Sequence, residues 1–322
     1  MKNLVASYQK QKSLSLGLTI RHRCGGSVEL MGANASLETQ VYHAASVGKM
    51  FTAVAIARLI EAKKINWDTP ITYILQEQHL KNLFIWKGQE LSSQVTVQML
   101  LEHTSGLSDY FTDWGRSGKR VMDLILEDPD HLWTPQELLN FSREDQGLRA
   151  PPGKSFHYSD TNYLLLGFIL EAIHKIPFHE VLRQEVFKLA NMQDAYMPLR
   201  EVPPSCNLKL RPTWLNGVEL SQKRALSADW AGGGVALSAQ DLINFFEALK
   251  TEKLIKSETL NYLLTFRHRF MFGIGYGLGF MELRPGEFSP LLKSLPKMVG
   301  YMGILAIQSF WEEWDRSFGF NG

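Results

Sequence analysis

The densest apolar pattern in the chain begins directly after Lys49. Apolar residues occupy nearly every side of the helix that this stretch would form: Met50, Phe51, Val54, Ala55, Ile56, Leu59 and Ile60. A helix that is apolar all round is usually buried. We therefore predict a buried helix with Lys49 at its start. A lysine in such a place more often extends its ammonium group to solvent.

Helical spacing recurs through the middle of the chain, and short strand-like runs lie near its ends. Apolar spacing and N-cap residues such as Thr96 and Ser238 predict helices over 95–103, 135–141, 162–173, 178–189 and 237–249. Strands are predicted over 14–20, 27–31, 276–283 and 303–311, the first two joined as a hairpin around Cys24-Gly25-Gly26. This order predicts an α+β protein in which one sheet unites the two ends of the chain. We expect residues 1–70 and 225–322 to form the part with the sheet, and residues 71–224 the mainly helical part, of one functional unit.

Composition and charge narrow the classes of function. The net charge of +1 argues against nucleic-acid binding through a basic surface, and no apolar run is long enough to span a membrane. Residues 1–17 are polar and lack the apolar centre of a secretory signal, so a cytoplasmic protein is expected. Two cysteines are too few for a disulfide framework, and no Cys/His group has zinc spacing. Neither a metal nor a cofactor is therefore expected.

Candidate chemistry begins at the predicted buried helix. The pattern Ser-x-x-Lys starts at Ser7, Ser46 and Ser294, and such a short pattern is common by chance. Only Ser46 stands where a buried helix begins, so that backbone N–H groups and the helix dipole favour developing negative charge there. Lys49 lies one turn further on the same face. A partly desolvated lysine loses its charge more readily and could take the serine proton.

Four segments in a fixed order extend this candidate site. They read AASVGK over 44–49, LLEHTSGL over 100–107, PGKSFHYSDTNY over 152–163 and AGGGVALS over 231–238. Their order and spacing resemble the serine β-lactamase and penicillin-binding-protein superfamily, and within it the class C-like branch of esterases and D-alanyl-D-alanine carboxypeptidases. The resemblance implies a β-lactamase-like fold, in which an antiparallel sheet flanked by helices joins an all-helical subdomain and the active site lies between them. It also implies hydrolysis of an amide, lactam or ester through an acylated serine.

The resemblance assigns three catalytic roles. Ser46 is the implied nucleophile, and Lys49 is its partner in proton transfer. Tyr158 matches the tyrosine of the family's Tyr-x-Asn element, where a phenol with its pKa lowered by Lys49 would move a proton to and from the leaving group. The oxyanion hole would combine the N–H of Ser46 with one from residues 303–305.

Two departures from the family pattern affect the expected substrate. Asp160 stands where the family has Asn, and an ionised carboxylate only accepts hydrogen bonds, although it could hold Lys49 by a charge-assisted bond. The family's Lys-Thr-Gly or His-x-Gly motif is missing, and its place falls at Gly300-Tyr301-Met302-Gly303. Tyr301 then stands where a cation would bind a substrate carboxylate, which looks like the Trp-x-Gly variant of some esterases in the superfamily. We expect Asp160, Tyr301 and Gly303 to contact the substrate.

Two other motifs allow alternative interpretations. His103 lies beside Ser105, which would suit a Ser-His pair, but the family pattern makes this segment a structural turn. The run Gly232-Gly233-Gly234 could suggest a phosphate loop, yet it lacks the flanking strand and the Lys-Ser/Thr of such loops. A tight backbone turn is the favoured interpretation.

The favoured function is a serine hydrolase, most simply a carboxylesterase acting on small acyl esters through Ser46. A β-lactamase or D-alanyl-D-alanine carboxypeptidase is the second hypothesis, which Tyr301 and Asp160 disfavour. A binder of acyl or peptidoglycan-like ligands without turnover is the third, and it rests on the altered third motif and the short C-terminus. The expected partner in each case is a small molecule.

Overall fold

A hairpin opens the part of the chain that the computed structural model describes. That part comprises residues 40–305 and 307–312 and the backbone of 17–21 and 28–32. The two hairpin strands pair antiparallel, with Gly17 opposite Gly32. This confirms the predicted hairpin, whose Cys24-Gly25-Gly26 turn lies outside the described residues.

The described strands and helices follow in chain order. The strands are β1 (Gly17–Arg21), β2 (Val28–Gly32), β3 (Gln40–His43), β4 (Ile85–Trp86), β5 (Gln89–Glu90), β6 (Lys209–Leu210), β7 (Trp214–Leu215), β8 (Val218–Glu219), β9 (Ala236–Leu237), β10 (His268–Met271), β11 (Ile274–Tyr276), β12 (Met281–Leu283), β13 (Met298–Met302) and β14 (Gln308–Glu312). The helices are α1 (Lys49–Glu61), α2 (Glu77–Leu80), α3 (Val97–Leu101), α4 (Val121–Glu127), α5 (Pro135–Phe141), α6 (Asp160–His174), α7 (Phe178–Leu182), α8 (Ala239–Lys250), α9 (Ser257–Leu263) and α10 (Pro285–Phe288).

One antiparallel sheet of five strands, β10 to β14 in sequential order, dominates the C-terminal third of the described chain. A second sheet places β3 between β6, to which it runs parallel, and β9, to which it runs antiparallel. Because β3 ends at His43, the turn that carries Ser46 follows this strand almost directly. The hairpin β1–β2 forms its own sheet among the described strands. The prediction that one sheet unites the two ends of the chain is therefore wrong for this part of the molecule.

Helices α1 and α6 form the centre of the core. Both are buried along most of their length, as their nearly uniform apolar sequences predict. In α1, Phe51 packs edge-to-face against Phe187 and Phe245, with ring centroids 5.8 and 4.8 Å apart. This core fixes the start of both helices, where Ser46, Lys49 and Asp160 lie.

Side-chain caps set several helix starts where the sequence placed them. Thr96 accepts a hydrogen bond from the Met99 N–H at 3.3 Å before α3. Ser238 and Asp241 form a reciprocal capping box before α8. Since these caps depend only on near neighbours in the chain, local sequence was sufficient to predict them.

Two predicted strands have different limits in the structure. The stretch 276–283 contains the end of β11, a turn and β12, because Gly279 adopts a left-handed backbone (φ +79°) and the Gly277 N–H bonds to the Phe280 carbonyl. The strand predicted over 303–311 begins only at Gln308, after a turn at Ile304 and Leu305. One buried cluster includes residues on both sides of the predicted domain boundaries, so the division at residues 70 and 225 stays a prediction. Within the described ranges, no helix is long and apolar enough to cross a membrane.

Candidate active site

Ser46 lies in a tight helical turn, Ala45–Gly48, that runs directly into α1. The residue before it, Ala45, has a left-handed backbone (φ +45°), which costs a non-glycine residue on the order of 1 kcal/mol. Its N–H donates to the Nδ1 atom of His43 at 3.2 Å. The turn thus presents Ser46 from a strained backbone held by a buried histidine, at the helix start that the sequence predicted.

Lys49 is fully buried and each of its three protons has an acceptor. Its Nζ donates to Ser46 Oγ at 3.1 Å, to the Gly232 carbonyl at 2.8 Å and, in a very short contact, to Asp160 Oδ1. Three acceptors around one nitrogen match an ammonium group, and the side chain does not extend to solvent. Glycine is required at 232, since a Cβ there would lie 2.5 Å from Asp160 Oδ1. The glycine run is therefore a close backbone turn.

Tyr158 lies beside the other two predicted catalytic residues. Its hydroxyl donates to Ser46 Oγ at 2.9 Å, which places all three predicted catalytic side chains together. The direction of its predicted pKa shift is wrong. Burial, and next the charge of Asp160, raise the pKa of Tyr158 well above its usual value. The resting phenol is therefore protonated and stands beside Ser46 as an acid.

Two further carboxylates, which sequence reasoning missed, accompany Asp160. The N–H of Asp160 donates to Asp109 Oδ1 at 2.9 Å. Burial, and next the charge of Asp160, raise the pKa of Asp109 to about 6. Burial raises the pKa of Asp229 to about 7, a rise that Lys49 opposes and the other two carboxylates increase. A single ammonium thus faces three carboxyl groups, and no sequence spacing links Asp109 or Asp229 to the motifs.

Tyr301 requires a correction. It was expected to contact the substrate, but it is fully buried and is not among the residues that line the cavity at Ser46. Its hydroxyl instead donates to the Tyr158 hydroxyl at 3.4 Å and bonds to the Tyr276 hydroxyl at 2.7 Å. Sequence order placed Tyr301 at the position of the family's third motif, but it could not show that the side chain lies behind Tyr158.

The structure also separates His103 from a Ser-His pair. Ser105 donates to Asn162 Oδ1 at 2.5 Å. His103 Nδ1 receives hydrogen bonds from the Ser159 N–H and the Asn162 amide, at 3.2 and 3.1 Å. His103 has a left-handed backbone (φ +58°) shortly after α3 ends, in agreement with the predicted turn.

Gly303 brings the end of β13 against the turn of Ser46. A Cβ at 303 would lie 2.9 Å from the Ala45 Cβ, so only glycine permits this approach. The Gly303 N–H bonds to the Ile307 carbonyl at 2.7 Å and is not available to a substrate. Among the described residues, no acceptor pairs with the N–H of Ser46 or of Ile304. These two donors are the candidates for an oxyanion hole.

A cavity of about 690 Å³ opens in front of Ser46. Its apolar wall consists of Phe111, Phe156, Phe270, Met271, Met281, Met302 and Ile304. Its polar wall consists of Ser46, Asp109, Thr112, His157, Tyr158, Asp160, Asp229, Arg269 and Gly303. The cavity thus combines a large apolar surface with the catalytic group and all three carboxylates.

The cations near this cavity are paired. Arg269, on its wall, donates to Glu287 at 2.8 Å. Arg284 and Lys297 both bond to Glu282 and are not among the residues that line the cavity. In the part of the chain that the structure describes, no group of three or more His, Cys, Asp or Glu side chains could hold a metal ion.

A sequence model of the beta-lactamase family matches residues 20–311. The chain belongs to the beta-lactamase family. The match confirms the predicted superfamily, and the solved relatives below confirm the α+β fold class. Relatives that it resembles are named as penicillin-binding proteins and as hydrolases.

Individual relatives of this beta-lactamase family member are distant. It is 25% identical over 251 residues to the putative penicillin-binding protein PbpX of Bacillus subtilis (strain 168), covering 77% of this chain and 55% of PbpX. The chain thus spans about half the length of that curated relative.

Two solved structures show the fold. A D-stereospecific amidohydrolase from Streptomyces sp. is 25% identical, with a TM-score of 0.67 over 83% of this chain and 76% of the other. EstCE1, a hydrolase with promiscuous acyltransferase activity, is 22% identical, with a TM-score of 0.59 over 78% and 71%.

Proposed function

We propose that this protein is a serine hydrolase that forms an acyl-enzyme at Ser46 and acts as a carboxylesterase on small acyl esters. The observation that carries the proposal is the position of Ser46 Oγ, which lies 3.1 Å from Lys49 Nζ and 2.9 Å from the Tyr158 hydroxyl at the wall of an apolar cavity. A nucleophile within hydrogen-bond reach of its proton partners is the arrangement that acyl transfer requires.

The protons that the site holds are sufficient for acylation. Lys49 passes one proton to Asp160, which it already contacts, and its freed lone pair takes the proton of Ser46. The Ser46 oxygen then attacks the carbonyl carbon, while the oxyanion accepts hydrogen bonds from the N–H groups of Ser46 and Ile304. Tyr158 gives its phenol proton to the leaving alcohol as the old ester bond breaks.

Hydrolysis of the acyl-enzyme reverses these transfers. The Tyr158 phenolate takes a proton from water, and the resulting hydroxide attacks the acyl carbon. Lys49 returns a proton to the departing Ser46 oxygen, and Asp160 returns its proton to Lys49. The site thereby recovers its resting charges after each turnover.

The preference for esters rests on the charges around the cavity. Asp109 and Asp229 lie beside the Lys49–Asp160 ion pair and, when ionised, disfavour an anionic substrate. The Arg269 guanidinium is already paired with Glu287. The apolar wall suits the hydrocarbon part of an acyl group. A neutral ester therefore meets fewer unfavourable charges than a penicillin or a peptide with a free carboxylate.

A second substrate class is favoured by one observation. Asp229 shares the cavity wall with Ser46, and its carboxylate could receive the ammonium group of an amino-acid ester or amide. Comparison of an amino-acid methyl ester with its N-acetyl derivative tests this class. A preference for the free amine that Asp229→Asn removes would support it.

Paired kinetics test the proposed function. Ser46→Ala should abolish hydrolysis of p-nitrophenyl acetate, while Ser294→Ala, which alters an exposed Ser-x-x-Lys match, should retain full activity. Tyr158→Phe should lower the acylation rate by roughly a hundredfold or more, because it keeps the ring and removes the proton donor. A folded Ser46→Ala protein with normal turnover would refute the proposal, and inactivity of the wild type on esters, amides and lactams alike would favour a non-catalytic binder.

A further inference from the structure

A chain of buried hydroxyl groups connects His103 to the catalytic tyrosine. His103 Nε2 lies 2.8 Å from the Tyr276 hydroxyl, and that hydroxyl lies 2.7 Å from the Tyr301 hydroxyl. Tyr301 in turn lies 3.4 Å from the Tyr158 hydroxyl, which contacts Ser46 Oγ. His103, Tyr276 and Tyr301 are buried and are not among the residues that line the cavity, so they act on the reaction only through Tyr158.

The proton on His103 can be assigned from its neighbours. The Ser159 backbone N–H lies 3.2 Å from Nδ1, and a backbone N–H can only donate. Nδ1 is therefore an unprotonated acceptor. Burial, and next the charge of Lys49, hold the pKa of His103 well below its usual value, so the ring is neutral and its single proton is on Nε2.

The direction of the chain can be read from its far end. Tyr158 donates to Ser46 Oγ, and Tyr301 donates to Tyr158. Each phenol has a single proton, so the proton of the contact between Tyr276 and Tyr301 belongs to Tyr276. His103 Nε2, as a donor to Tyr276, supports this order because it occupies the Tyr276 oxygen as an acceptor and leaves the Tyr276 proton for Tyr301.

We infer that His103, Tyr276 and Tyr301 are positioning residues that keep the Tyr158 proton directed toward the reacting atoms and hold a donor against the Tyr158 oxygen. The inference rests on the proposed function. When the Tyr158 O–H bond breaks and the leaving alcohol gains that proton, the phenol oxygen becomes negatively charged. The Tyr301 hydroxyl already faces it as a donor, and a hydrogen bond to the charged form favours that form. The chain therefore makes Tyr158 a stronger acid toward the leaving group.

The dependence of rate on the leaving group separates this role from a structural one. p-Nitrophenyl acetate and ethyl acetate give the same acyl-enzyme, but ethoxide needs a proton to depart and p-nitrophenolate does not. Tyr301→Phe should therefore lower kcat/KM for ethyl acetate about tenfold more than for p-nitrophenyl acetate, a part of the usual contribution of general acid catalysis. Tyr276→Phe should lower kcat/KM less, but again more for ethyl acetate than for p-nitrophenyl acetate. This variant leaves Tyr301 beside Tyr158 but no longer holds the Tyr301 proton in the direction of Tyr158.

Tyr110→Phe is the matched control. Tyr110 is as buried as the tyrosines of the chain, but its hydroxyl donates to the Ala228 carbonyl at 2.9 Å. Removal of the Tyr110 hydroxyl loses a similar hydrogen bond. It should not change the ratio of kcat/KM for ethyl acetate to kcat/KM for p-nitrophenyl acetate. Tyr276→Phe decides the question if Tyr301→Phe does not fold.

Two results would count against different claims. Equal losses on both esters in Tyr301→Phe and Tyr276→Phe, or no loss on either, would overturn the inference while Ser46-dependent hydrolysis still supported the proposed function. Hydrolysis that survives Ser46→Ala would instead remove the proposed function, and this inference with it.

Discussion

Lys49 balances the charge of the active site. It is fully buried, and the Asp160 carboxylate is the ion-pair partner of its ammonium. Two buried charges of opposite sign stabilise each other, but removal of either one leaves the other unpaired in a poorly solvated place. We therefore expect Lys49 to matter for stability as well as for the proposed catalysis, and mutation can separate the two roles.

Lys49→Met should destabilise the protein by about 3–5 kcal/mol, the cost of leaving a buried charge without its partner. The double variant Lys49→Met/Asp160→Asn should recover much of that loss, because no unpaired charge remains, yet it should stay inactive on esters. Urea unfolding followed by fluorescence measures both changes. A Lys49→Met variant as stable as the wild type would show that the buried Asp160 carboxylate does not need the Lys49 ammonium group in the folded state.

Asp229→Asn should stabilise the protein increasingly as pH rises. Its folded pKa of about 7 lies above the usual carboxyl value, so the folded state binds an extra proton between those two values. That extra proton makes the wild type lose stability as pH rises through this range. From pH 4 upward the stability of the variant relative to the wild type should therefore rise, and it should level off once the pH is well above the folded pKa of about 7. Urea unfolding at several pH values measures the gap, and a difference that is constant with pH would contradict the raised pKa.

At the scale of single residues, sequence reasoning could predict Ser46, Lys49, Tyr158 and the contact of Asp160 with Lys49, because these belong to local motifs in a fixed order. It could not predict Asp109, Asp229 or Tyr276, which reach the site through tertiary packing. The pKa of Tyr158 was misjudged for a similar reason. Its burial, which outweighs the effect of a nearby lysine, is a property of the folded core.

At the scale of elements, the decisive contact is between the end of β13 and the turn before α1. Gly303 lies against Ala44 and Ala45, so the strand can bring the Ile304 N–H near Ser46. Local patterns predicted α1 and the capped starts of α3 and α8, since caps and apolar spacing act over a few residues. They failed at 276–283, where a left-handed turn at Gly279 divides what resembled one continuous strand.

Gly303→Ala should lower kcat by about a hundredfold, the usual effect of losing one oxyanion donor. The added methyl group would lie 2.9 Å from the Ala45 Cβ and 3.2 Å from the Ala44 carbonyl, which forces the strand end away from Ser46. Steady-state kinetics on p-nitrophenyl acetate, with a thermal melt to confirm folding, measure the effect. Unchanged kcat in a folded variant would place the second oxyanion donor elsewhere.

At the scale of the whole molecule, one cavity collects residues from distant parts of the chain. Ser46 follows β3, Asp109 follows α3, and Phe270 and Met302 come from the C-terminal sheet. The family match over residues 20–311 accounts for this arrangement of the fold. On this fold the cavity combines three carboxyl groups with a largely apolar wall, and the proposed substrate rests on that combination.

Neutral short-chain esters should therefore exceed cephalosporins in kcat/KM. A cephalosporin brings a carboxylate toward a site whose own carboxyl groups repel it. Paired kinetics on p-nitrophenyl acetate and a chromogenic cephalosporin measure the ratio, and Asp229→Asn should narrow it by removing one repelling group. A wild-type preference for the cephalosporin would contradict the esterase assignment and would imply that Arg269 is released from Glu287 to bind the substrate.

If the proposed function is correct, Ser46 carries the acyl group during turnover. The most direct measurement is peptide mass mapping after brief incubation with p-nitrophenyl acetate and an acid quench. We expect one acetyl group on the peptide that contains Ser46 in the wild type, and none on that peptide in Ser46→Ala. Catalytic hydrolysis with the acetyl group on another residue, or persisting unchanged in Ser46→Ala, would contradict it.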